Sequence, residues 1–174
     1  ASLCNPARFH PRMSGKMNQL QQSSPQERMI QQQVIDRGIH DDRIIAAMRS
    51  VPRENFFPKD SGANVYADRA CPIGHGQSIS QPYMVALMSS RLNVQPDHKA
   101  LEIGTGSGYQ SAVLAHLAGQ VYSIERIKPL LDSAFERLLD LGLRNIHFRH
   151  GDGTLGWSEE APFDRIIITA GAPD

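Results

Sequence analysis

The sequence predicts an α/β fold with a doubly wound, mainly parallel sheet that is preceded by helices. From residue 100 onward, apolar strand-like segments alternate with helical segments through short connections. The first strand runs into a glycine-rich turn that opens a helix, and Glu125 closes the next apolar run, twenty-one residues after Gly104. We therefore predict a tail over residues 1–24 and one domain over residues 25–174.

The bulk composition fits one ordinary globular domain. The chain has 174 residues, 40% of them hydrophobic and 21% charged, and its formal net charge is zero. A neutral chain without a basic block gives no indication of a nucleic-acid or membrane partner. No apolar stretch approaches the ~20 residues that span a bilayer. Cys4 and Cys71 are too few for a disulfide framework, and we expect free thiols in a cytoplasmic protein.

The N-terminal half is predicted to be helical. Residues 1–24 are rich in Ser, Gln, Asn and Pro, which is typical of a disordered tail. A helix through Met29 and Val34 should stop at Gly38. Asp41 and Asp42 then supply an N-cap for a second helix, whose apolar face consists of Ile44, Ile45, Ala47 and Met48. Residues 71–82 are predicted to be a polar loop, and Pro82 to be the first residue of the helix that follows.

The C-terminal half predicts four parallel strands. These strands alternate with two helices and a turn, and the predicted order is strand 100–103, helix 107–118, strand 121–125, helix 128–141, strand 145–149, turn 151–153 and strand 164–170. The run 166–168 has no polar alternation, which favours a strand buried on both faces. A strand order of 3-2-1-4 would leave this apolar strand at an edge, so we expect a chain truncated after its fourth strand. Alternatively, the N-terminal helices or a second subunit cover that edge.

The glycine-rich turn predicts a nucleoside site. Glycines at 104, 106 and 108 allow positive φ and let the backbone approach a ligand closely. No third glycine stands at the dinucleotide spacing, which favours a mononucleoside such as S-adenosylmethionine. A helix N-terminus at Ser107 would attract its methionyl carboxylate. The alternative is an ordinary tight turn between strand and helix.

Two acids follow neighbouring strands. Glu125 at the carboxyl end of the second strand would accept hydrogen bonds from ribose hydroxyls, unless it forms a surface ion pair with Arg126 or Lys128. Asp152 after the third strand would accept from an adenine amino group, although Asp-Gly is also a common turn.

The segment 74–81 carries more polar groups than a linker needs. Ser80 either belongs to a site or caps the helix begun by Pro82. His75 is a ligand contact or a solvated loop residue. No acid lies nearby and Gly-x-Ser-x-Gly is absent, which excludes a serine nucleophile, and the cysteine spacing does not fit zinc. Trp157 and Phe163 are predicted to be packing residues.

In order and spacing, the segments over residues 27–174 resemble one family. They are Val-Pro-Arg-Glu-Asn-Phe at 51–56, Pro-Ile-Gly-His-Gly-Gln-Ser-Ile-Ser-Gln-Pro-Tyr-Met-Val at 72–85, the block 101–110, Ser-Ile-Glu-Arg at 123–126, Arg-His-Gly-Asp-Gly at 149–153 and Ala-Pro-Phe-Asp at 161–164. The chain is similar to the protein-L-isoaspartate O-methyltransferases, which have the Rossmann-like class I methyltransferase fold. The block at 101–110 indicates only a class I methyltransferase, whereas the segment 74–82 is specific to this family.

The resemblance implies methyl transfer from S-adenosylmethionine to the carboxylate of L-isoaspartyl residues in damaged proteins and peptides, by a monomer. It implies a catalytic Ser80 and a cofactor site formed by Gln77, Ser78, Ile79, Glu102, Gly104, Thr105, Gly106, Glu125, Asp152 and Gly153. Ser78 stands where the family usually has Thr. The family continues with further strands, which would follow Asp174 and which this sequence does not contain. Their lack puts the activity of this chain in question. The alternatives are another class I methyltransferase, acting on a small molecule or RNA, and an inactive cofactor-binding fragment.

Overall fold

A four-stranded parallel sheet with helices packed against it forms the structure, a computed structural model that describes residues 23–58 and 64–170. The helices are α1 Pro25–Ile30, α2 Asp42–Ser50, α3 Pro82–Leu92, α4 Tyr109–Ala115 and α5 Lys128–Asp140. The strands are β1 Cys71–Gly74, β2 Gln77–Ile79, β3 Lys99–Ile103, β4 Gln120–Glu125, β5 Ile146–His150 and β6 Arg165–Ile168. Most of the predicted tail, and Cys4 with it, lies outside the described residues.

The sheet has the strand order β5-β4-β3-β6. The four predicted strands are β3, β4, β5 and β6 in chain order, so the predicted order 3-2-1-4 is confirmed. Each pair of adjacent strands in the sheet is parallel. Leu101 in β3 pairs with Tyr122 of β4 on one side and with Ile166 of β6 on the other. The carboxyl ends of the four strands therefore meet along one rim of the sheet. Ligands of open α/β sheets bind at such a rim.

Two short N-terminal helices pack on each other, and α2 also packs on α3 and α4. Ser24, placed in the tail by the sequence, instead caps α1 by accepting a hydrogen bond from the Glu27 N–H at 3.1 Å. A single π-helical segment, Gln31–Ile35, extends α1. Asp41 caps α2 as predicted, because its carboxylate accepts from the Arg43 N–H at 2.9 Å. The predicted apolar face of α2 is buried.

Residues 71–79 form an antiparallel hairpin of β1 and β2, so the prediction of a loop there was wrong. Its turn, His75 and Gly76, has φ values of 53° and 70°. Two consecutive positive φ angles suit the right-handed twist of the flanking strands. Pro82 begins α3 as predicted, but Gln81 is the N-cap and no side chain caps this helix. Ser80 is therefore not the cap.

The edge strand β6 has one buried face. Ile167 is 5% exposed, whereas Ile166 and Ile168 are 57% and 58% exposed. Successive side chains of a strand point to opposite faces, and α3 packs on β6 on one of them. The prediction that this run is buried on both faces was wrong, and the prediction of an edge strand was right.

Aromatic side chains close the other face of the central strands. Tyr122 packs edge to face against Trp157 and Phe163, with ring centroids 5.3 and 5.5 Å apart. Both residues are thus packing residues, as expected. Within residues 23–58 and 64–170, none of the helices has the length and apolar character needed to cross a membrane.

Candidate functional site

A cavity of about 790 Å³ lies at the carboxyl rim of the sheet. One wall comes from the ends of β3 to β6, and the opposite wall comes from the hairpin strand β2 and Ser80. Every site residue predicted from the sequence lines the cavity except Glu102; they are Gln77, Ser78, Ile79, Ser80, Gly104, Thr105, Gly106, Glu125, Asp152 and Gly153. This size and position are typical of a site for a small ligand.

The glycine-rich turn forms the floor of the cavity. Gly106 and Gly108 have φ values of 53° and 86°, which only glycine adopts without strain. Because these angles interrupt the helical conformation, α4 begins at Tyr109 and not at the predicted Ser107. A Cβ on Gly104 would lie 2.8 Å from the Ala170 Cβ. The turn is therefore packed closely against the segment that follows β6.

Glu125 is buried at the end of β4, and its two oxygens both accept backbone hydrogen bonds. Oε2 accepts from the Gly106 N–H at 2.9 Å, and Oε1 accepts from the Ile127 N–H at 2.9 Å. Each carboxylate oxygen can accept two hydrogen bonds, so capacity remains for a ligand. Lys128 pairs with Asp132 instead, and Glu125 forms no ion pair within the described part of the chain. The surface ion-pair interpretation was wrong.

Glu102 lies beneath the glycine-rich turn and not in the cavity wall. It is fully buried on β3, and its Oε2 accepts hydrogen bonds from Ser111 and, at 2.6 Å, from Ser123. The Ser123 hydroxyl lies 2.6 Å from the Thr105 Oγ1, which completes a chain of hydrogen bonds to the turn. Burial raises the pKa of Glu102 to about 7. The hydrogen bonds from Ser111 and Ser123 lower the pKa but do not offset the burial, and the nearby charge of Glu125 raises it further.

Asp152 and Gly153 follow β5 at the same rim. The Asp152 Oδ1 accepts from the Thr154 N–H at 2.9 Å and from the Thr154 hydroxyl at 2.8 Å. These hydrogen bonds hold the pKa of Asp152 below its ordinary value. The turn interpretation is correct, and the same turn places Asp152 in the wall. A Cβ on Gly153 would lie 2.4 Å from the Ile103 Cγ2, so this position has no room for a side chain.

Arg53 supports the hairpin wall from behind, and the sequence alone did not indicate it. Its NH2 donates to the Ser80 carbonyl at 2.8 Å, and its Nε donates to the Val65 carbonyl at 2.9 Å. The residue is fully buried, and NH1 has no hydrogen-bond partner. Burial lowers the pKa of Arg53, but a guanidinium keeps its proton in a protein. Burying an unpaired ion costs several kcal/mol.

Several other wall residues were missed, and Thr169 and Gln110 are two that form hydrogen bonds there. Thr169 follows β6, and its hydroxyl donates to the carbonyls of Ile103 and Gly104 at 3.0 and 2.6 Å. The rule that ligands bind at strand carboxyl ends could have identified it. Gln110 donates to the Ser89 hydroxyl at 2.9 Å, and its Oε1 is buried without a partner.

The wall has no arrangement for nucleophilic catalysis by the protein. His75 stands at the hairpin turn and does not line the cavity, whereas His150 does and has its Nε2 3.1 Å from the Arg126 carbonyl. No serine is hydrogen-bonded to a histidine among the residues that the structure describes. In the same residues, no group of three or more His, Cys, Asp or Glu is placed to hold a metal ion. Binding and alignment are what this cavity offers.

Comparisons with known proteins identify the family that this arrangement fits. The family model described as Protein-L-isoaspartate(D-aspartate) O-methyltransferase matches residues 24–174. A protein-L-isoaspartate O-methyltransferase of Geobacter metallireducens is 55% identical over 148 residues, which are 85% of this chain and 68% of that protein. One of Opitutus terrae is 51% identical over 152 residues, which are 87% of this chain and 65% of that protein. This chain is therefore shorter than both relatives.

Two solved structures share the fold. A protein-L-isoaspartate O-methyltransferase superposes with a TM-score of 0.74 at 29% identity, over 84% of this chain and 48% of that one. An enzyme of the same kind from Plasmodium falciparum, in complex with S-adenosyl-L-homocysteine, gives a TM-score of 0.73 at 28% identity, over 86% of this chain and 75% of that one. The predicted Rossmann-like class I methyltransferase fold is confirmed.

Proposed function

The chain belongs to the protein-L-isoaspartate(D-aspartate) O-methyltransferase family, and from this premise we propose that it methylates the carboxylate of L-isoaspartyl residues in damaged proteins, with S-adenosylmethionine as donor. One observation carries the proposal. A single cavity joins a nucleoside-type wall around Glu125 to a hairpin wall that presents Ser80. The donor and the acceptor would enter from these two walls.

The wall residues fit the donor. Glu125 keeps free acceptor capacity for the two ribose hydroxyls, and Asp152 stands one strand away with a carboxylate for the adenine amino group. Gly153 packs directly on Ile103, which also lines the cavity, so a side chain at position 153 would displace Ile103 from the wall. Gly104, Thr105 and Gly106, with Ser78 and Ile79 opposite them, are assigned to the rest of the donor. Glu102 is assigned a supporting role, since it reaches Thr105 only through Ser123.

The chemistry requires alignment more than proton transfer. An isoaspartyl carboxylate, with a pKa near 4, is already ionised at neutral pH and attacks without a general base. When bound, the sulfonium supplies the methyl group and a good leaving group. Ser80 would donate its hydroxyl hydrogen to the acceptor carboxylate, and Gln77 would border the same wall. Their task is to hold the oxygen in line with the methyl carbon and to exclude water.

A peptide assay tests the activity. The chain is incubated with methyl-labelled S-adenosylmethionine and an L-isoaspartyl peptide, and in parallel with the aspartyl peptide of the same sequence and with bulk RNA. We expect label only in the isoaspartyl peptide. Label in RNA, or equal label in both peptides, would contradict the proposal.

A binding assay tests the donor site. Glu125→Ala should weaken S-adenosylmethionine binding in calorimetry roughly tenfold or more, because hydrogen bonds to a charged group contribute about 1.5–3 kcal/mol. Glu159→Ala, which removes an exposed acid paired with Arg149, is the matched control. Equal affinity for both variants would refute the ribose assignment. The monomeric state and the cytoplasmic location expected from the sequence stay predictions.

A further inference from the structure

We propose that the buried guanidinium of Arg53, which has no acid partner within residues 23–58 and 64–170, is a positioning and specificity-determining group that makes the hairpin side of the cavity select an anionic acceptor. This inference rests on the proposed function and assigns to Arg53 the preference for a carboxylate over a neutral group. Arg53 is not a catalytic residue, since it does not line the cavity.

Arg53 is held immediately behind the hairpin wall. Its two hydrogen bonds to the carbonyls of Ser80 and Val65 fix the guanidinium plane. The guanidinium carbon lies 4.8 Å from the ring centroid of Tyr109, and both Ser80 and Tyr109 line the cavity. One layer of atoms, the Ser80 backbone and the Tyr109 ring, thus separates the charge from the cavity.

Among the residues that the structure describes, no acid neutralises the charge of Arg53. Over residues 23–58 and 64–170, no carboxylate lies within salt-bridge distance of it, and its NH1 is buried without an acceptor. The nearest acid along the chain, Glu54, is exposed and accepts a hydrogen bond from the Tyr66 hydroxyl. A buried ion without a counter-ion is unfavourable for stability, which makes a functional role the better explanation.

The two walls differ in charge. The donor wall carries the carboxylates of Glu125 and Asp152 and the guanidinium of Arg126. The hairpin wall, Gln77 to Ser80, has no charged side chain of its own. We assign the positive potential on that side to Arg53, whose guanidinium donates to the Ser80 carbonyl, through a medium that screens it poorly. An acceptor carboxylate that binds at Ser80 supplies a negative charge opposite the Arg53 guanidinium. The two groups attract each other across the Ser80 backbone without direct contact.

The test compares two ligands on one protein. In the presence of S-adenosyl-L-homocysteine, calorimetry measures binding of an L-isoaspartyl peptide and of the same peptide with the α-carboxylate replaced by a carboxamide. We expect the native chain to prefer the carboxylate by at least roughly tenfold, as for a unit charge about 8 Å away at an effective dielectric constant of about 20. Arg53→Met should reduce the preference by roughly tenfold, leaving only the part that the Ser80 hydroxyl supplies. Arg53→Lys, which keeps the charge but not the paired hydrogen bonds, should retain most of it.

The outcomes separate the charge of Arg53 from its structural role. Arg91→Met, which removes an exposed arginine at the end of α3, is the control and should leave the preference unchanged. If Arg53→Met weakens both peptides equally, the residue is only structural and the inference is overturned. If Arg53→Met does not fold, the native chain still decides, because equal affinity for the two peptides overturns the inference. A native chain that neither binds nor methylates the isoaspartyl peptide overturns the proposed function as well.

Discussion

Replacing Glu102 with Gln should remove a pH-dependent loss of stability. Glu102 is fully buried, and one of its oxygens, Oε1, has no hydrogen-bond partner. Its charged form is therefore poorly solvated, and the protonated form is favoured in the folded chain. Glutamine has nearly the same shape and cannot ionise, so the variant isolates the contribution of the charge.

The magnitude follows from the pKa of Glu102. Its folded value is about 7, and its ordinary value is 4.5. Between these pH values the folded chain keeps a proton that the unfolded chain has released. The free energy of unfolding therefore falls as pH rises through this window and levels off above about pH 7. At about 1.4 kcal/mol per pKa unit, the total loss is roughly 3 kcal/mol.

Urea unfolding at intervals from pH 5 to pH 8 measures the effect. The amide nitrogen of the variant can take the place of Oε1, which has no partner, so the informative quantity is the difference in the free energy of unfolding between the variant and the native chain. From pH 5 to pH 8 that difference should change by roughly 2–3 kcal/mol in favour of the variant. Glu136→Gln, an exposed acid on α5, should show a constant difference. A constant difference for Glu102→Gln as well would refute the reasoning.

Three further variants test the cap, the donor wall and the hairpin wall. Asp41→Ala should lower the free energy of unfolding by ~1 kcal/mol in urea, since it removes the cap of α2; no change would contradict the cap. Gly153→Ala should weaken S-adenosylmethionine binding roughly tenfold, because its Cβ would displace Ile103 and one poorly fitted group costs on the order of 1–3 kcal/mol. Glu159→Ala, at an exposed acid that does not line the cavity, is its control, and equal affinities would count against the close fit. Ser80→Ala should reduce kcat/KM by a factor that corresponds to ~1–3 kcal/mol of transition-state stabilisation, the contribution of one positioning hydrogen bond. Its affinity for the donor should be retained. A turnover within experimental error of the native chain would exclude that role.

The parallel sheet was predictable because its signals are local. The residues around Gly104 and Glu125 carry both the turn and the strand ends in short segments, and the parallel topology then places them at one rim. The hairpin was not recognised because its turn is His75-Gly76, whereas the familiar signal of a two-residue hairpin turn is Asn-Gly or Asp-Gly. Burial of β6 was misjudged since the run of isoleucines does not say which face a helix covers.

Support behind the site was the least predictable part. Arg53 lies 27 positions from Ser80, and a contact at that separation depends on how α2, the following turn and the hairpin pack together. An arginine in a sequence is usually exposed, so its burial was not expected. The resemblance implied Glu102 as a residue of the cofactor site, but strand alternation turns its side chain beneath the glycines.

The two walls of the cavity come from separate stretches of the chain, Gln77 to Ser80 on one side and the rim of the sheet on the other. On the proposed assignment, Ser78 and Ile79 of the hairpin contact the donor, whereas Gln77 and Ser80 border the acceptor. Mutations at Gln77 and Ser80 can therefore change which molecule accepts a methyl group while the donor contacts keep their geometry. An evolving lineage can thus explore new acceptors without first losing its donor. For an engineer, Gln77 and Ser80 are accordingly the positions to randomise when a different acceptor is wanted.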